Sequence, residues 1–376
     1  MPKPIPMIEY KEFSLNVHTQ AAHTRAVVNA QIELTYGCNL HCVHCYTDCY
    51  NRPDLIKQEL SYAEIARILD QLHDEGVLWV CFTGGEIFMR KDFLDIYAYA
   101  KQKGFLITLF TNGTLFTEAM ADYLKEHPPF SIEISCHGAT EETFDRITQV
   151  KGSFQRFLKG MRLLVERGLP IKIKTKAMTV NQHELDQIKA FVEGLGTQFR
   201  LSTVIYPRLN GDLAPATYRL SPEEIVALES QEGDGDPEDR CTEAEIQLGP
   251  PADDRLFRCG CGTIAVHINA WGQLGTCTWV TERADLRQTT VADAIAEVFP
   301  RIRTARYQSE TPCRTCHVYT FCDKMPANAA AEAGDPEQPV AHFCRVAYQR
   351  AEKMGVKAEC PVGLREEEES RVTFNE

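Results

Sequence analysis

The sequence predicts an α/β protein that combines a mostly parallel sheet with a smaller, cysteine-rich domain. Six short runs rich in β-branched and aromatic residues alternate with amphipathic stretches of helical period, a pattern typical of parallel strands joined by crossover helices. The chain has 376 residues, which exceeds what one hydrophobic core usually organises, so we expect two domains. Nine of the 15 cysteines follow residue 240, beyond the last predicted strand and helix.

The strands and helices alternate between residues 31 and 206. The predicted strands are 31–35, 77–83, 106–111, 131–135, 171–177 and 200–205. Ser61 and Glu64 form a capping box at the start of the first crossover helix, and Gly76 ends that helix. Its expected buried face is Ile65, Ile68, Leu69 and Leu72. A later helix is expected to bury Phe154, Phe157, Leu158, Met161 and Val165.

A compact cysteine motif directly follows the first predicted strand. Cys38, Cys42 and Cys45 are spaced Cys-x3-Cys-x2-Cys. Three thiolates can hold three irons of a [4Fe-4S] cluster and leave the fourth iron open to a ligand with an amine and a carboxylate, as S-adenosylmethionine (SAM) has. Zinc sites usually draw four ligands as two close pairs, so zinc and simple packing are the less favoured interpretations. The motif therefore predicts an iron–sulfur cofactor.

A second motif, Gly84-Gly85-Glu86, follows the second predicted strand. Together with the cysteine spacing it resembles the radical SAM superfamily, in which this element meets the amino group of the bound methionine. The resemblance implies a partial (β/α)6 TIM-like barrel, open on one side, with its chemistry at the carboxyl ends of the strands. The SAM-binding residues that it implies are His44, Gly84, Gly85, Glu86, Asn112, Ser135 and Arg146.

These implied contacts differ in kind. His44 would lie against the adenine ring, whereas Asn112, Ser135 and Arg146 would contact the ribose or the carboxylate. Asn112 also belongs to an ordinary Asn-Gly turn, and Arg146 is equally consistent with a solvated helix charge. Many relatives read Ser-hydrophobe-Asp-Gly after the fourth strand, but this chain reads Ser135-Cys136-His137-Gly138, so its ribose contact differs from the usual pattern.

The second half of the chain carries further cysteines at regular spacing. Cys261-x10-Gly272-x4-Cys277, then Cys313-x2-Cys316-x5-Cys322 and finally Cys344, resembles the SPASM extension of peptide-modifying radical SAM enzymes. That extension holds auxiliary iron–sulfur clusters, which would supply folding energy that a small core cannot. An all-cysteine zinc site is the alternative. The implied auxiliary ligands are Cys259, Cys261, Cys277, Cys313, Cys316, Cys322 and Cys344.

The resemblance implies one or two auxiliary clusters. The last four of these cysteines form a complete ligand set, whereas Cys259, Cys261 and Cys277 supply only three thiolates. A second cluster is therefore absent, keeps an iron open for the substrate, or recruits another ligand. The candidates for that ligand are Asp323, Cys241 and Cys360.

The expected organisation has five parts. They are an N-terminal extension (1–30), the barrel (31–230), a Gly-, Asp- and Glu-rich linker (231–240), the SPASM-like domain (241–360) and an acidic tail (361–376). The amino terminus has no apolar signal region and no run of about 18 apolar residues occurs, so we expect neither export nor membrane insertion. The 40 basic and 53 acidic residues give a net charge of -13, which disfavours nucleic acid. We expect a cytoplasmic protein.

The resemblance implies a radical enzyme. It would cleave SAM reductively to a 5'-deoxyadenosyl radical and abstract hydrogen from a ribosomally made peptide or protein. Its electron donor would be a flavodoxin or ferredoxin, and because only 37 residues precede Cys38, a separate leader-peptide-binding protein is expected. Thr278 follows Cys277, where sulfatase-maturing relatives have an acidic residue, which disfavours that activity.

Two alternatives remain open. The segment from Cys313 to Cys344 also resembles the tails of radical SAM enzymes of tetrapyrrole or haem synthesis. A non-enzymatic iron–sulfur electron carrier or sensor would explain the cysteines, but it would not explain the ordered Gly84-Gly85-Glu86 motif and the six β/α repeats.

Overall fold

The computed structural model describes residues 9–47, 52–231, 251–258, 260 and 262–356. The chain forms two compact units, one made of Met1–Arg219 with Phe257–Ala305 and the other of Leu220–Leu256 with Arg306–Glu376. Phe257–Ala305 lies in the first unit, whereas the sequence suggested that it belongs to the C-terminal domain. The predicted tail (361–376) and all of the predicted linker after Gln231 lie outside the described residues.

The first unit is built on one sheet. Six of its strands are β1 (Asn29–Thr35), β2 (Trp79–Gly84), β3 (Leu106–Thr111), β4 (Ser131–Ser135), β5 (Ile171–Lys176) and β6 (Gln198–Ser202). They lie in the order β6-β5-β4-β3-β2-β1, and every neighbouring pair is parallel. These are the six strands that the sequence predicted, with ends that differ by up to three residues.

Three short strands extend this sheet beyond β1. They are β7 (Ala265–Ile268), β8 (Gln273–Gly275) and β9 (Ala284–Asp285). β7 pairs parallel with β1, and β8 and β9 add antiparallel strands to that edge. In the described part of the chain, β6 and β9 are the two edges of an open nine-stranded sheet. The predicted α/β fold with an unclosed barrel is therefore confirmed.

Helices join the parallel strands. In chain order, the helices of this unit are α1 (Tyr10–Thr24), α2 (Pro53–Ile56), α3 (Tyr62–Asp74), α4 (Phe93–Gln102), α5 (Glu118–Glu126), α6 (Glu141–Thr148), α7 (Ser153–Glu166) and α8 (Leu185–Gly194). The second unit contributes α9 (Pro222–Gln231), and the first unit resumes with α10 (Val291–Thr304). The second unit continues with α11 (Pro326–Ala333) and α12 (Ala341–Lys353).

The sequence explains how α3 begins and packs. The Ser61 hydroxyl accepts from the Glu64 amide, and the Glu64 carboxylate accepts from the Ser61 amide at 2.8 Å, so the predicted capping box forms. All four predicted face residues are buried, and Gly76 follows the helix at a φ of 83°. In α7 the expected buried face is only partly confirmed, since Phe157 and Met161 are buried but Phe154 and Leu158 are half-buried. Val165 is exposed because the buried face runs through Phe157, Met161 and Leu164 instead.

The two faces of the sheet differ in polarity. Alternate strand residues such as Ile32, Phe82 and Leu109 are buried against the helices. On the opposite face, Gln31 of β1 lies between Cys81 of β2 and His267 of β7. That face of the sheet therefore carries polar side chains and one thiol.

The second unit contains a small core. Val318, Ala347 and Ala351 are buried in it, and the partly buried Cys316 and Cys322 pack against them. Arg350 of α12 binds the carboxylates of Glu229, at 2.6 Å, and Asp323, at 2.7 Å. Within the described ranges of both units, no helix has the length and apolar character required to cross a membrane.

Candidate functional site

The loop that carries Cys38, Cys42 and Cys45 begins where β1 ends. The amides of His41 and Val43 donate to the carbonyl oxygens of Thr148 and Ile147, at 2.9 and 3.0 Å, so the last turn of α6 supports the loop. The Cys45 amide donates to the Cys42 carbonyl oxygen at 3.0 Å and closes a tight turn between two of the cysteines. The loop geometry is thus fixed by backbone hydrogen bonds.

The structure brings the three predicted thiols within electrostatic range of one another. Burial raises the pKa of Cys38 to about 12, and nearby Glu86 and Cys45 act in the same direction. Burial also raises the pKa of Cys42 well above its usual range, as do Cys45 and Cys38. Three adjacent buried thiolates repel one another, and bound iron would offset that repulsion.

The donor set of the loop consists of three thiols. No group of three or more His, Cys, Asp or Glu side chains converges on one ion position in the described ranges of the chain. In an iron–sulfur cube each thiolate binds a different iron, so the sulfurs need not converge on one point. Three thiols on one loop are therefore a donor set that an iron–sulfur cluster can use.

Gly84 and Gly85 lie directly against the start of this loop. A Cβ atom at Gly84 would collide with the carbonyl oxygen of Thr35, and one at Gly85 would collide with that of Gly37. The Gly85 amide donates to Thr35 at 2.7 Å, and the Glu86 amide donates to Gly37 at 2.8 Å. The glycines are thus required by the backbone of the cysteine loop, a contact that the sequence did not predict.

The Glu86 carboxylate holds the end of β3. It is fully buried and accepts from the Thr111 hydroxyl at 2.8 Å, the Asn112 amide at 2.7 Å and the Phe88 amide at 3.2 Å. Burial raises the pKa of Glu86 to about 7, although these donors act to lower it. Glu86 thereby connects the glycine motif to the carboxyl end of the third strand.

Asn112 continues this connection back to the cysteine loop. Its side-chain nitrogen donates to Asn39 Oδ1 at 2.9 Å and lies 3.9 Å from the Cys38 sulfur. Its side-chain oxygen accepts from the Thr114 hydroxyl at 2.6 Å, and Asn39 also donates to that hydroxyl. The sequence identified Asn112 but missed Asn39 and Thr114, whose only signal is their position beside a motif residue.

His44 and His137 form a pair of buried imidazoles beside the loop. Their ring centroids are 4.6 Å apart in an edge-to-face arrangement. Burial lowers the pKa of His137 to about 4, and it lowers that of His44 well below its usual range. Both Nδ1 atoms are buried without a hydrogen-bond partner within the described ranges. Two unsatisfied ring nitrogens of this kind fit a polar ligand such as the adenosine part of SAM.

Ser135 and Arg146 are less closely tied to this site. Ser135 is the last residue of β4 and lies opposite Lys174 of β5, at the carboxyl end of the sheet. Arg146 is exposed on α6, in the turn before the residues that support the cysteine loop. In the described parts of the chain, neither side chain forms a hydrogen bond to that loop.

A buried charged network lies below the loop, and the sequence did not predict it. The Glu33 carboxylate is inaccessible to solvent and accepts from Tyr36 at 2.5 Å and from Tyr46 at 3.2 Å. His267 Nε2 lies 3.4 Å from the same carboxylate, and Arg283 contacts His267 Nδ1 at 3.1 Å. Burial acts to raise the pKa of Glu33, but His267 and the other neighbours hold it below its usual value. The available signal was a charged residue within an apolar strand.

The second unit brings its cysteines together. Cys313 and Cys316 lie within electrostatic range of Cys322, and burial raises the pKa of Cys322 to about 12. The Cys322 sulfur lies 3.9 Å from the carbonyl oxygen of Phe343, the residue before Cys344 in α12. All four residues of the complete auxiliary set are therefore grouped around the start of α12.

The incomplete auxiliary set is only partly described. Cys277 follows β8 in the first unit, and Arg283 donates to its carbonyl oxygen at 3.0 Å. Cys259 and Cys261 lie outside the described residues, as do Cys241 and Cys360. Asp323, another candidate ligand, is engaged by Arg350 at 2.7 Å within the second unit.

Comparison with known proteins identifies related sequences. Residues 32–193 match the family described as the Radical SAM superfamily. The AdoMet-dependent heme synthase of Methanosarcina barkeri is 30% identical over 336 residues, which cover 81% of this chain and 92% of that protein. The mycofactocin maturase MftC of Mycolicibacterium smegmatis is 28% identical over 306 residues, which cover 77% of this chain and 75% of that protein. With other curated relatives the match spans less than half of their length, 39% in one case and 44% in another.

A solved structure shares the fold. Streptococcus suis SuiB, determined in complex with the precursor peptide SuiA, superposes with a TM-score of 0.66 at 16% sequence identity. The match covers 90% of this chain and 82% of SuiB. At this identity the likeness concerns the fold alone.

Proposed function

Because this chain belongs to the radical SAM superfamily, we propose that it cleaves SAM reductively and uses the 5'-deoxyadenosyl radical to abstract hydrogen from a ribosomally made peptide or protein. The product would carry an oxidative modification or crosslink. The observation that carries this proposal is the cysteine loop, whose three thiols are held together by α6 and by the Gly84-Gly85-Glu86 turn.

The site residues have separate roles in this proposal. Cys38, Cys42 and Cys45 hold the [4Fe-4S] cluster, which supplies the electron for SAM cleavage when bound. Glu86 and Asn112 hold the carboxyl end of β3 against the loop, and His44 offers an imidazole face and an unsatisfied nitrogen to the adenosine. Gly84, Gly85, Ser135 and Arg146 complete the proposed SAM-binding set.

A peptide substrate is supported by two relatives. One is named a mycofactocin maturase, and SuiB, whose fold is similar, was solved with a precursor peptide. We further propose a flavodoxin or ferredoxin as electron donor, a separate leader-peptide-binding protein and a cytoplasmic location, since the clusters need a reducing compartment. The four grouped cysteines of the second unit hold an auxiliary cluster in this proposal.

The experiment combines metal analysis with an activity assay. Iron, sulfide and 5'-deoxyadenosine are measured after anaerobic reconstitution of the wild type and of the Cys38→Ala/Cys42→Ala/Cys45→Ala variant. We expect the variant to lose about four irons per chain and all 5'-deoxyadenosine formation. Zinc without iron, or wild-type protein that binds iron but cleaves no SAM, would overturn the proposal, and the second result would favour an electron carrier.

A tetrapyrrole substrate is the second candidate. It is supported by the AdoMet-dependent heme synthase of Methanosarcina barkeri, 92% of which is covered at 30% identity. Titration with haem, followed by the shift of its main absorption band, separates the two candidates. We expect the absorption band of haem to show no saturable shift. A saturable shift, with one haem bound per chain, would favour the hypothesis of a tetrapyrrole substrate.

A further inference from the structure

Positively charged side chains line one side of β5. Successive side chains of a strand alternate between its two sides, so Lys172, Lys174 and Lys176 share one side, and all three are half-buried. Lys174 Nζ lies 3.9 Å from the centroid of the Phe110 ring of β3. Phe110 shares its side of β3 with the residue that pairs with Cys81 of β2. The three lysines therefore lie on the polar face of the sheet.

Arg200 extends this line of charge to the edge of the sheet. It is exposed on β6 and lies opposite Lys174 in the register of the two strands. In the described part of the chain, β6 forms one edge of the sheet. Lys172, Lys174, Lys176 and Arg200, here called the basic stripe, therefore lie where a ligand that enters beside β6 would meet the polar face.

The basic stripe gives this face an excess of positive charge. On the six parallel strands, the carboxylates of the polar face are Glu33 and Glu133, which the four cations of the stripe outnumber. Glu133 pairs with Lys174, whereas Glu33 lies on β1 beside His267, away from the stripe. The whole chain has a net charge of -13, so a local excess of positive charge distinguishes this face from the rest of the molecule.

One end of the basic stripe lies beside the proposed SAM site. Lys176 is the last residue of β5, and it is within electrostatic range of His44 in the cysteine loop. Its ammonium group donates to the Ser202 hydroxyl at 2.8 Å and to the Val204 carbonyl oxygen at 2.9 Å, two acceptors that leave its charge in place. The other cations of the stripe also interact with neighbouring groups, and it is the summed charge of the four that attracts an anion.

We propose that the basic stripe binds the carboxylates of an acidic peptide substrate and leads that peptide to the SAM site. The lysines occupy alternate positions of β5, which are about 7 Å apart, and carboxylates at alternate positions of an extended peptide have the same spacing. The negative charge of the whole chain repels such a peptide elsewhere, so its binding is confined to this face. The inference rests on the proposed function, because it names the chemical class of the peptide.

The test measures the binding of a fluorescein-labelled hexaglutamate peptide by fluorescence anisotropy. The wild type is compared with the stripe variant Lys172→Gln/Lys174→Gln/Arg200→Gln. The control variant Lys125→Gln/Lys159→Gln/Arg162→Gln changes the net charge equally, at exposed positions of α5 and α7. We expect saturable binding that weakens about tenfold in the stripe variant and less than about twofold in the control. A rise from about 50 to about 200 mM sodium chloride should also weaken binding to the wild type.

The opposite results are equally defined. Absence of saturable hexaglutamate binding, or equal losses in the stripe and control variants, would overturn the inference. Haem also carries carboxylates, and if it bound through the stripe while hexaglutamate did not, the peptide would be the wrong class of ligand. Lys172→Gln/Arg200→Gln keeps the pair of Lys174 and Glu133 and should still weaken binding, and circular dichroism of every variant controls for misfolding. Peptide binding requires no SAM cleavage, so the proposed function is judged separately by 5'-deoxyadenosine formation.

Discussion

Gly85 donates its amide hydrogen to the carbonyl oxygen of Thr35 at 2.7 Å, which joins the glycine motif to the last residue of β1. The next amide, that of Glu86, binds Gly37 in the same way. Two motifs that are separated by about 40 residues in the sequence are thus one backbone assembly. The geometry of the cysteine loop therefore depends on residues that carry no thiol.

The first prediction concerns the space at Gly85. Gly85→Ala places a Cβ against the backbone of Gly37, which no side-chain rotation can relieve. We expect a loss of about 1–3 kcal/mol in the free energy of unfolding, and less iron bound by the loop. Urea unfolding and iron analysis measure both effects. Gly194→Ala is the control because nothing lies within 4 Å of its Cβ position, and equal behaviour of the two variants would contradict the prediction.

The second prediction concerns pH and His137. Burial lowers the pKa of this side chain from 6.5 to about 4, so between these values the unfolded chain binds a proton that the folded chain does not. Stability should therefore fall as pH falls through this window. From pH 7 to pH 5 the wild type should lose about 2 kcal/mol more than His137→Phe does.

Unfolding free energies of the two proteins at both pH values test this prediction. A His137→Phe variant with the same pH dependence as the wild type would show that burial of His137 does not shift its titration.

The third prediction separates Asp323 from the cysteines near it. The Asp323 carboxylate forms an ion pair with Arg350 at 2.7 Å, so this side chain already has a partner within the second unit. We expect Asp323→Asn to retain the full iron content of the wild type, and Cys322→Ala to lose up to about four irons per chain. Iron analysis after reconstitution decides the matter, because a loss of iron from Asp323→Asn would make this carboxylate a cluster ligand.

The local features of the fold could be predicted because they are encoded in neighbouring residues. Apolar runs gave the six parallel strands, and Ser61 with Glu64 gave the start of α3. The pairing of β7 with β1 could not be predicted in this way, since it joins segments more than 200 residues apart and depends on tertiary packing. The expected burial of Val165 was wrong for a related reason, because the neighbouring Leu164 takes the buried position.

The candidate site also has features that the sequence predicts and features that depend on the fold. The cysteine spacing and Gly84-Gly85-Glu86 identified the loop and the turn, which the structure places in direct contact. The two glycines have a further role that the sequence did not predict, since their missing side chains make room for the backbone of the loop.

The last prediction concerns the buried pair of Glu33 and His267, whose side-chain oxygen and Nε2 atoms lie 3.4 Å apart without exposure to water. Removal of one partner leaves the other uncompensated, so Glu33→Gln and His267→Leu should each lower the free energy of unfolding by about 3–5 kcal/mol. The double variant should lose clearly less than both single losses combined, because the second change removes the charge that the first one stranded. The test is a double-mutant cycle, in which urea unfolding is measured for the wild type, the two single variants and the double variant. Additive losses would mean that the two side chains act independently and that Arg283 and the tyrosines, not His267, stabilise the Glu33 carboxylate.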